Sequence, residues 1–232
     1  MKELIDSRNK SLWDKINSNF KVEVVEGVDG YNCYGEENLI RLTIESNNPS
    51  PASFTHELLH AYLRYNECFI GAALKNFVRN DDFLCSILSL DLLEHLSNSL
   101  EHAKFLPMFL NLGFKREEFI SDYHIRKCTN EQLAMISKSY IIQGKINKEA
   151  VDPYIGILSA MIADPNPEFD YSKEYNIFQN LDSTLYESII YLFSDWKEID
   201  VESNNFLDDN YRDVVHMFGD RIINWYETCH FI

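Results

Sequence analysis

The chain has 232 residues, 45% of them hydrophobic and 25% charged, with a formal net charge of −16. That length and mix suffice for a buried core and exclude a largely disordered chain. The acidity opposes phosphate backbones and anionic lipid, so nucleic acid and membrane are excluded as main partners; it suits a basic or neutral polypeptide, or serves solubility alone.

In chain order, residues 2–19 carry Leu4, Ile5, Leu12, Trp13 and Ile16 at helical spacing. Lys21–Glu26 alternates and is rich in valine, which predicts a strand. Gly27, Gly30 and Gly35 mark a turn-rich stretch, after which Leu39–Glu45 alternates again and predicts a second strand. Asn47–Pro51 stops it, and Ser53 is placed to cap a helix running to about Asn66. A long helix is expected from Asp82 to about Phe105, with a break where Pro107 disfavours helical geometry at Leu106. Further helices are expected over Lys115–Cys128, Asn130–Gln143, Lys148–Ile162, Leu181–Lys197 and Asp208–Cys229. The clearest linker-like stretch is Asp164–Glu168, with no composition shift across it. The expectation is one domain over 1–232, in which 168–232 forms a helical subdomain.

The five cysteines, Cys33, Cys68, Cys85, Cys128 and Cys229, are odd in number and widely spaced, with no Cys-x-x-Cys. Reduced thiols fit this better than a disulfide framework. The opening Met-Lys-Glu-Leu-Ile-Asp lacks the apolar core of a signal peptide, and no stretch approaches the ~20 apolar residues of a membrane span. A cytoplasmic location is expected.

The chemistry concentrates in residues 56–60, His-Glu-Leu-Leu-His. On a helix His56 and His60 project from one face, one turn apart, and can share one Zn²⁺ at ~2.0–2.1 Å. Glu57 is rotated by about 100° and reaches the open side without being a ligand. Water on such an ion has its pKa lowered toward ~7, and Glu57 can take its proton. Phe54, Leu58, Leu59, Ala61 and Leu63 make the helix apolar, and burying two imidazoles and a carboxylate there is costly unless something satisfies them. The bland alternative is a polar stripe facing solvent, with two histidines by coincidence.

This motif resembles that of the zincin metallopeptidases. The resemblance implies a small sheet ahead of the motif helix, which matches the order of Leu39–Glu45 and Ser53–Asn66. It covers residues 20–125 at most, and only the five-residue motif is specific. A metzincin would continue to a glycine and a third histidine, but the chain continues Ala61-Tyr-Leu-Arg-Tyr-Asn-Glu-Cys68. A gluzincin-like zincin takes its third ligand, usually a glutamate, from a later helix. Here that helix carries Glu94, His95, Asn98, Glu101 and His102. Glu101 is favoured as third ligand, then His102, then Glu94, with Asn98 as an orienting partner. Tyr123 and His124 are candidates to stabilise the oxyanion, ahead of Tyr62 and Tyr65. Zincins bind extended substrate by strand addition, which makes Leu39–Glu45 the candidate edge. His216 has no partner in sequence and reads as a structural or surface residue.

The expected fold is therefore α+β and mainly helical: a small N-terminal sheet, a zincin-type active-site helix and a helical C-terminal part. The expected function is peptide hydrolysis by zinc-activated water, with Glu57 as general base. Two alternatives are a narrow-specificity regulatory protease of the bacterial stress or phage-related type, and a non-catalytic interaction protein braced by zinc. In either, the helices from about Lys173 onward are available for partner binding.

Overall fold

The computed structural model describes residues 3–28, 30–202 and 210–232. Its architecture is α+β and mainly helical, with a small three-stranded sheet near the N-terminus. The chain divides into two compact units: Met1–Cys68, Lys104–His124 and Asp200–Asp208 form the first, and Phe69–Ala103, Ile125–Ile199 and Asp209–Ile232 the second.

In the first unit, helix α1 (Lys10–Asn19) leads into strands β1 (Lys21–Glu26), β2 (Asn32–Glu36) and β3 (Leu39–Ile44). Residues ahead of Lys10 form turns, so the N-terminal helix is shorter than its periodicity predicts; residue 2 lies outside the described residues. Asp6 begins this turn region, accepting from the Arg8 backbone amide at 2.8 Å and pairing with its guanidinium. The glycine-rich stretch contributes a strand, β2, that its turn residues conceal. The sheet order is β1-β3-β2, with β1 parallel to β3 and β2 antiparallel to it. This corrects the assignment of Leu39–Glu45 as an edge: β3 is the central strand, paired on both sides. The reason is the strand formed by Asn32–Glu36, which pairs with the side of β3 that β1 leaves open; the alternation of buried Ile40 and Leu42 with exposed Arg41 sets only which face of β3 is inward.

Helix α2 (Pro51–Tyr65) carries the histidine motif and packs on α1 and the sheet. Its cap is Ser50, not Ser53: the Ser50 side chain accepts from the Ser53 amide at 3.1 Å, and Pro51 takes the first helical position, where no amide is needed. Gly35 lies where α2 crosses β2, and a Cβ there would meet Arg64 Cδ at 2.8 Å.

The second unit begins with α3 (Ile70–Arg79) and α4 (Asp82–Ile87). Helix α5 (Leu90–Asn111) follows, its residues through Ala103 assigned to the second unit and those from Lys104 to the first. The expected helix from Asp82 is thus two helices. Leu88 is extended, and the Ser89 hydroxyl accepts from the Leu92 amide at 3.0 Å, which starts α5 afresh. The expected break at Pro107 does not occur. Proline inside a helix costs about 3 kcal/mol, whereas full burial of Phe105 and Phe109 on either side contributes about 1.5–3 kcal/mol each. Gly113 ends the helix with φ of +91°.

Lys115–Cys128 is not a helix but a short 3-10 turn, Arg116–Glu118, followed by further turns. The remaining elements are α6 (Asn130–Ser139), the hairpin β4 (Ile141–Ile142) and β5 (Lys145–Ile146), α7 (Val151–Ala163), α8 (Ser172–Leu181), α9 (Ser183–Glu198) and α10 (Asn210–Thr228). The expected start of α10 at Asp208 lies outside the described residues. Asp182 separates α8 from α9. Its carboxylate accepts from the Leu185 amide at 2.9 Å, the Tyr140 hydroxyl at 2.8 Å and the Trp225 indole at 2.7 Å. The loop over Asp164–Glu168 lies within the second unit. Among the described residues, no helix is long and apolar enough to cross a membrane.

Candidate metal centre

Within the first unit, the first turns of α2 are anchored through Thr55. Asn9, fully buried, donates to the Leu4 carbonyl at 2.8 Å and to Thr55 Oγ1 at 2.9 Å. Thr55 in turn donates to the Pro51 carbonyl at 2.6 Å. The residue next to Thr55 is His56, whose position on the inner face follows from this anchoring and from the burial of Phe54, Leu58 and Leu59.

His56 and His60 project from the same side of α2, with ring centroids 5.2 Å apart and planes at 61°. The His56 ring lies 4.8 Å from that of Phe119, and the His60 ring lies 4.8 Å from that of Phe105. Phe105 sits on the portion of α5 that belongs to the first unit, and His102 precedes it on that continuous helix by less than one turn. His56, His60 and His102 each offer a ring nitrogen, and these nitrogens lie within 4.8 Å of one another. His56 is buried; His60 and His102 are half-buried.

These residues fit a metal ion. Three imidazole nitrogens suit Zn²⁺, and tetrahedral ligands at ~2.0–2.1 Å stand roughly 3.3 Å from one another. Burial, and then the neighbouring His60, push the pKa of His56 down to about 3, against which a hydrogen bond to the Phe119 carbonyl acts weakly. His56 is therefore neutral at physiological pH and has no proton to give up on binding.

Of the Glu101–His102 pair, His102 is the member in this group. Glu101 is half-buried, lies about 100° away around α5 and is not among the gathered donors. Glu94 is exposed and ion-paired to Lys75 at 3.2 Å, and Asn98 is exposed. Glu57 is half-buried on α2 between the two motif histidines.

The oxyanion candidates fare differently from expectation. Tyr123 and His124 lie in turns, not on a helix, with their rings 5.0 Å apart and His124 exposed. The Tyr62 hydroxyl donates to Glu202 at 2.6 Å, and the Tyr62 ring stacks on Tyr65. His216 is exposed on α10.

Two contributors escape the sequence pattern. Phe105 carries a weak signal, three residues after His102 and so near its helical face. Phe119 carries none, because it follows a 3-10 turn far from the motif. No protein-family model, curated protein or solved structure matches the chain.

Proposed function

We propose that the chain is a zinc-dependent metallopeptidase of zincin type, with His56, His60 and His102 as ligands. The observation that carries this reading is the gathering of a third imidazole, from a helix remote in sequence, onto the two histidines of a His-Glu-x-x-His helix. A polar surface stripe gives no reason for that convergence. The three-histidine set departs from the carboxylate third ligand of the gluzincin pattern while keeping the same helix order.

When bound, zinc would supply Lewis acidity toward a peptide carbonyl and an attacking water. The carboxylate of Glu57 takes the proton of the attacking water and passes it to the leaving amine. His56, His60 and His102 would hold the ion, and the rings of Phe119 and Phe105 limit the rotation of the His56 and His60 imidazoles. The substrate is a polypeptide, and an extended segment would add to an outer strand, β1 or β2, since β3 is central. The acidic surface favours basic or neutral sequences around the cleaved bond. The five free cysteines suit a reducing compartment, which supports a cytoplasmic location.

The test is metal analysis of the purified chain together with Glu57→Gln. The expected result is one zinc per chain in both proteins, and peptide cleavage in the wild type only. Cleavage that survives Glu57→Gln removes the enzyme reading.

A further inference from the structure

His56 is the most buried of the three gathered histidines, and the segment around Phe119 lies against it. Phe119 is 2% exposed, and its ring lies 4.8 Å from the His56 ring at 58°. Its main-chain carbonyl accepts a hydrogen bond from the same imidazole. An imidazole that ligates a metal through one nitrogen carries its proton on the other, and the partner of that N–H decides which nitrogen is which.

The segment that presents this carbonyl is well fixed. The Phe119 amide donates to the Arg116 carbonyl at 3.1 Å, and the Glu118 amide donates to the Lys115 carbonyl at 3.1 Å. The Glu118 carboxylate folds back to accept from the Lys115 amide at 2.9 Å. The Phe119 ring packs edge-on against Phe109 at 5.2 Å, and Phe109 stacks on Phe114 at 5.0 Å. The Arg8 guanidinium covers Phe114 at 3.9 Å. The turn is thus braced by its own hydrogen bonds and by a ladder of three rings.

We propose that the turn Arg116–Glu118 is a positioning device for the metal centre: through the Phe119 carbonyl it fixes the tautomer and orientation of His56, so that the other ring nitrogen faces His60 and His102. The inference rests on the metal-site reading above. Phe119 touches no substrate in this scheme and acts only through His56, and Glu118 acts only by holding the turn.

The experiment uses the full chain with Ile120 replaced by its α-hydroxy analogue, which turns the Phe119 carbonyl into a weaker, ester acceptor. Zinc affinity is measured by competition with a chromophoric chelator, and ligand geometry by the visible bands of the Co²⁺-substituted protein. The expected result is about a tenfold loss of zinc affinity with altered Co²⁺ bands. The same replacement at Ser121, which weakens the Ile120 carbonyl instead, leaves both unchanged. Glu118 is exposed, so Glu118→Ala should fold; it is expected to weaken zinc several-fold, and Glu118→Gln, which retains an acceptor for the Lys115 amide, to restore it. Wild-type affinity and bands in the Ile120 ester, or in Glu118→Ala, overturn the proposal while leaving the metal centre in place. A wild-type chain that takes up no zinc overturns the metal-site reading itself, before any variant is made.

Discussion

Phe105 meets His60 edge to face, with ring centroids 4.8 Å apart and planes at 89°. Phe105 is fully buried and lies three residues after His102, so nearby positions on α5 supply both the His102 imidazole and the wall against His60. Phe105→Ala would cost about 3–5 kcal/mol through the cavity it leaves. Phe105→Leu is the more informative variant. It should cost about 1 kcal/mol in chemical denaturation and weaken zinc, because the His60 ring gains rotational freedom that binding must then remove. An unchanged zinc affinity in Phe105→Leu would show that the contact is packing and nothing more.

Asn9 gives a second, independent handle on α2. Its side-chain amide is fully enclosed and satisfies both the Leu4 carbonyl and the Thr55 hydroxyl. Asn9→Ala removes that donor and strands the Leu4 carbonyl, at an expected cost of about 1–3 kcal/mol. Asn9→Asp has no donor to offer and should be at least as damaging. The check is the unfolding midpoint of the two variants side by side. A wild-type midpoint in either would mean that water replaces the amide.

The histidine motif was legible because its chemistry is local: two imidazoles one turn apart need only a helix, and the apolar positions around them declare one. β1 and β3 were legible for the same reason, as alternation is a property of the strand itself. The position of β3 in the sheet was not, because pairing order depends on β2, whose glycine and asparagine disguise it as a turn. That His102 rather than Glu101 gathers with the motif histidines was likewise closed to sequence reading, since adjacent residues differ only in direction around α5 and that direction is set by packing. Pro107 misled for an energetic reason: a local rule worth about 3 kcal/mol was outweighed by the burial of Phe105 and Phe109.

Asp81 predicts a pH dependence in the second unit. Its carboxylate caps α4, accepting from the Leu84 amide at 2.9 Å, and also accepts from Tyr226 at 2.7 Å. The Leu84 hydrogen bond is the largest influence and holds the Asp81 pKa below its ordinary value, with burial opposing and the Tyr226 bond assisting. A folded-state pKa below the unfolded one means stability that is fully present above the unfolded value, ~3.9, and is lost as pH falls through the folded value. Asp81→Ala should therefore cost about 1 kcal/mol at pH 7, and the gap to wild type should narrow below about pH 4. Asp81→Asn keeps the cap and loses the titration, so it should lie near wild type at pH 7 with a flatter acid limb. A gap between wild type and Asp81→Ala that stays constant down to pH 2 would sink the assignment.

The third ligand can be tested without any substrate. A ion that binds only the folded chain stabilises it by about 2.7 kcal/mol when free zinc is a hundred times its Kd. For a chain of this size that is roughly a 5–10 °C rise in unfolding midpoint. His102 is half-buried, so His102→Ala should leave the metal-free protein close to wild type. In the presence of zinc the rise should shrink to near nothing, since two imidazoles of one helix hold the ion far less tightly than three. Glu101→Ala should keep the full rise, because Glu101 is not among the gathered donors. The comparison removes neighbouring residues from one helical turn, so a general loosening of α5 would affect both variants alike. If Glu101→Ala abolishes the rise and His102→Ala retains it, the carboxylate is the ligand and the three-histidine set is wrong.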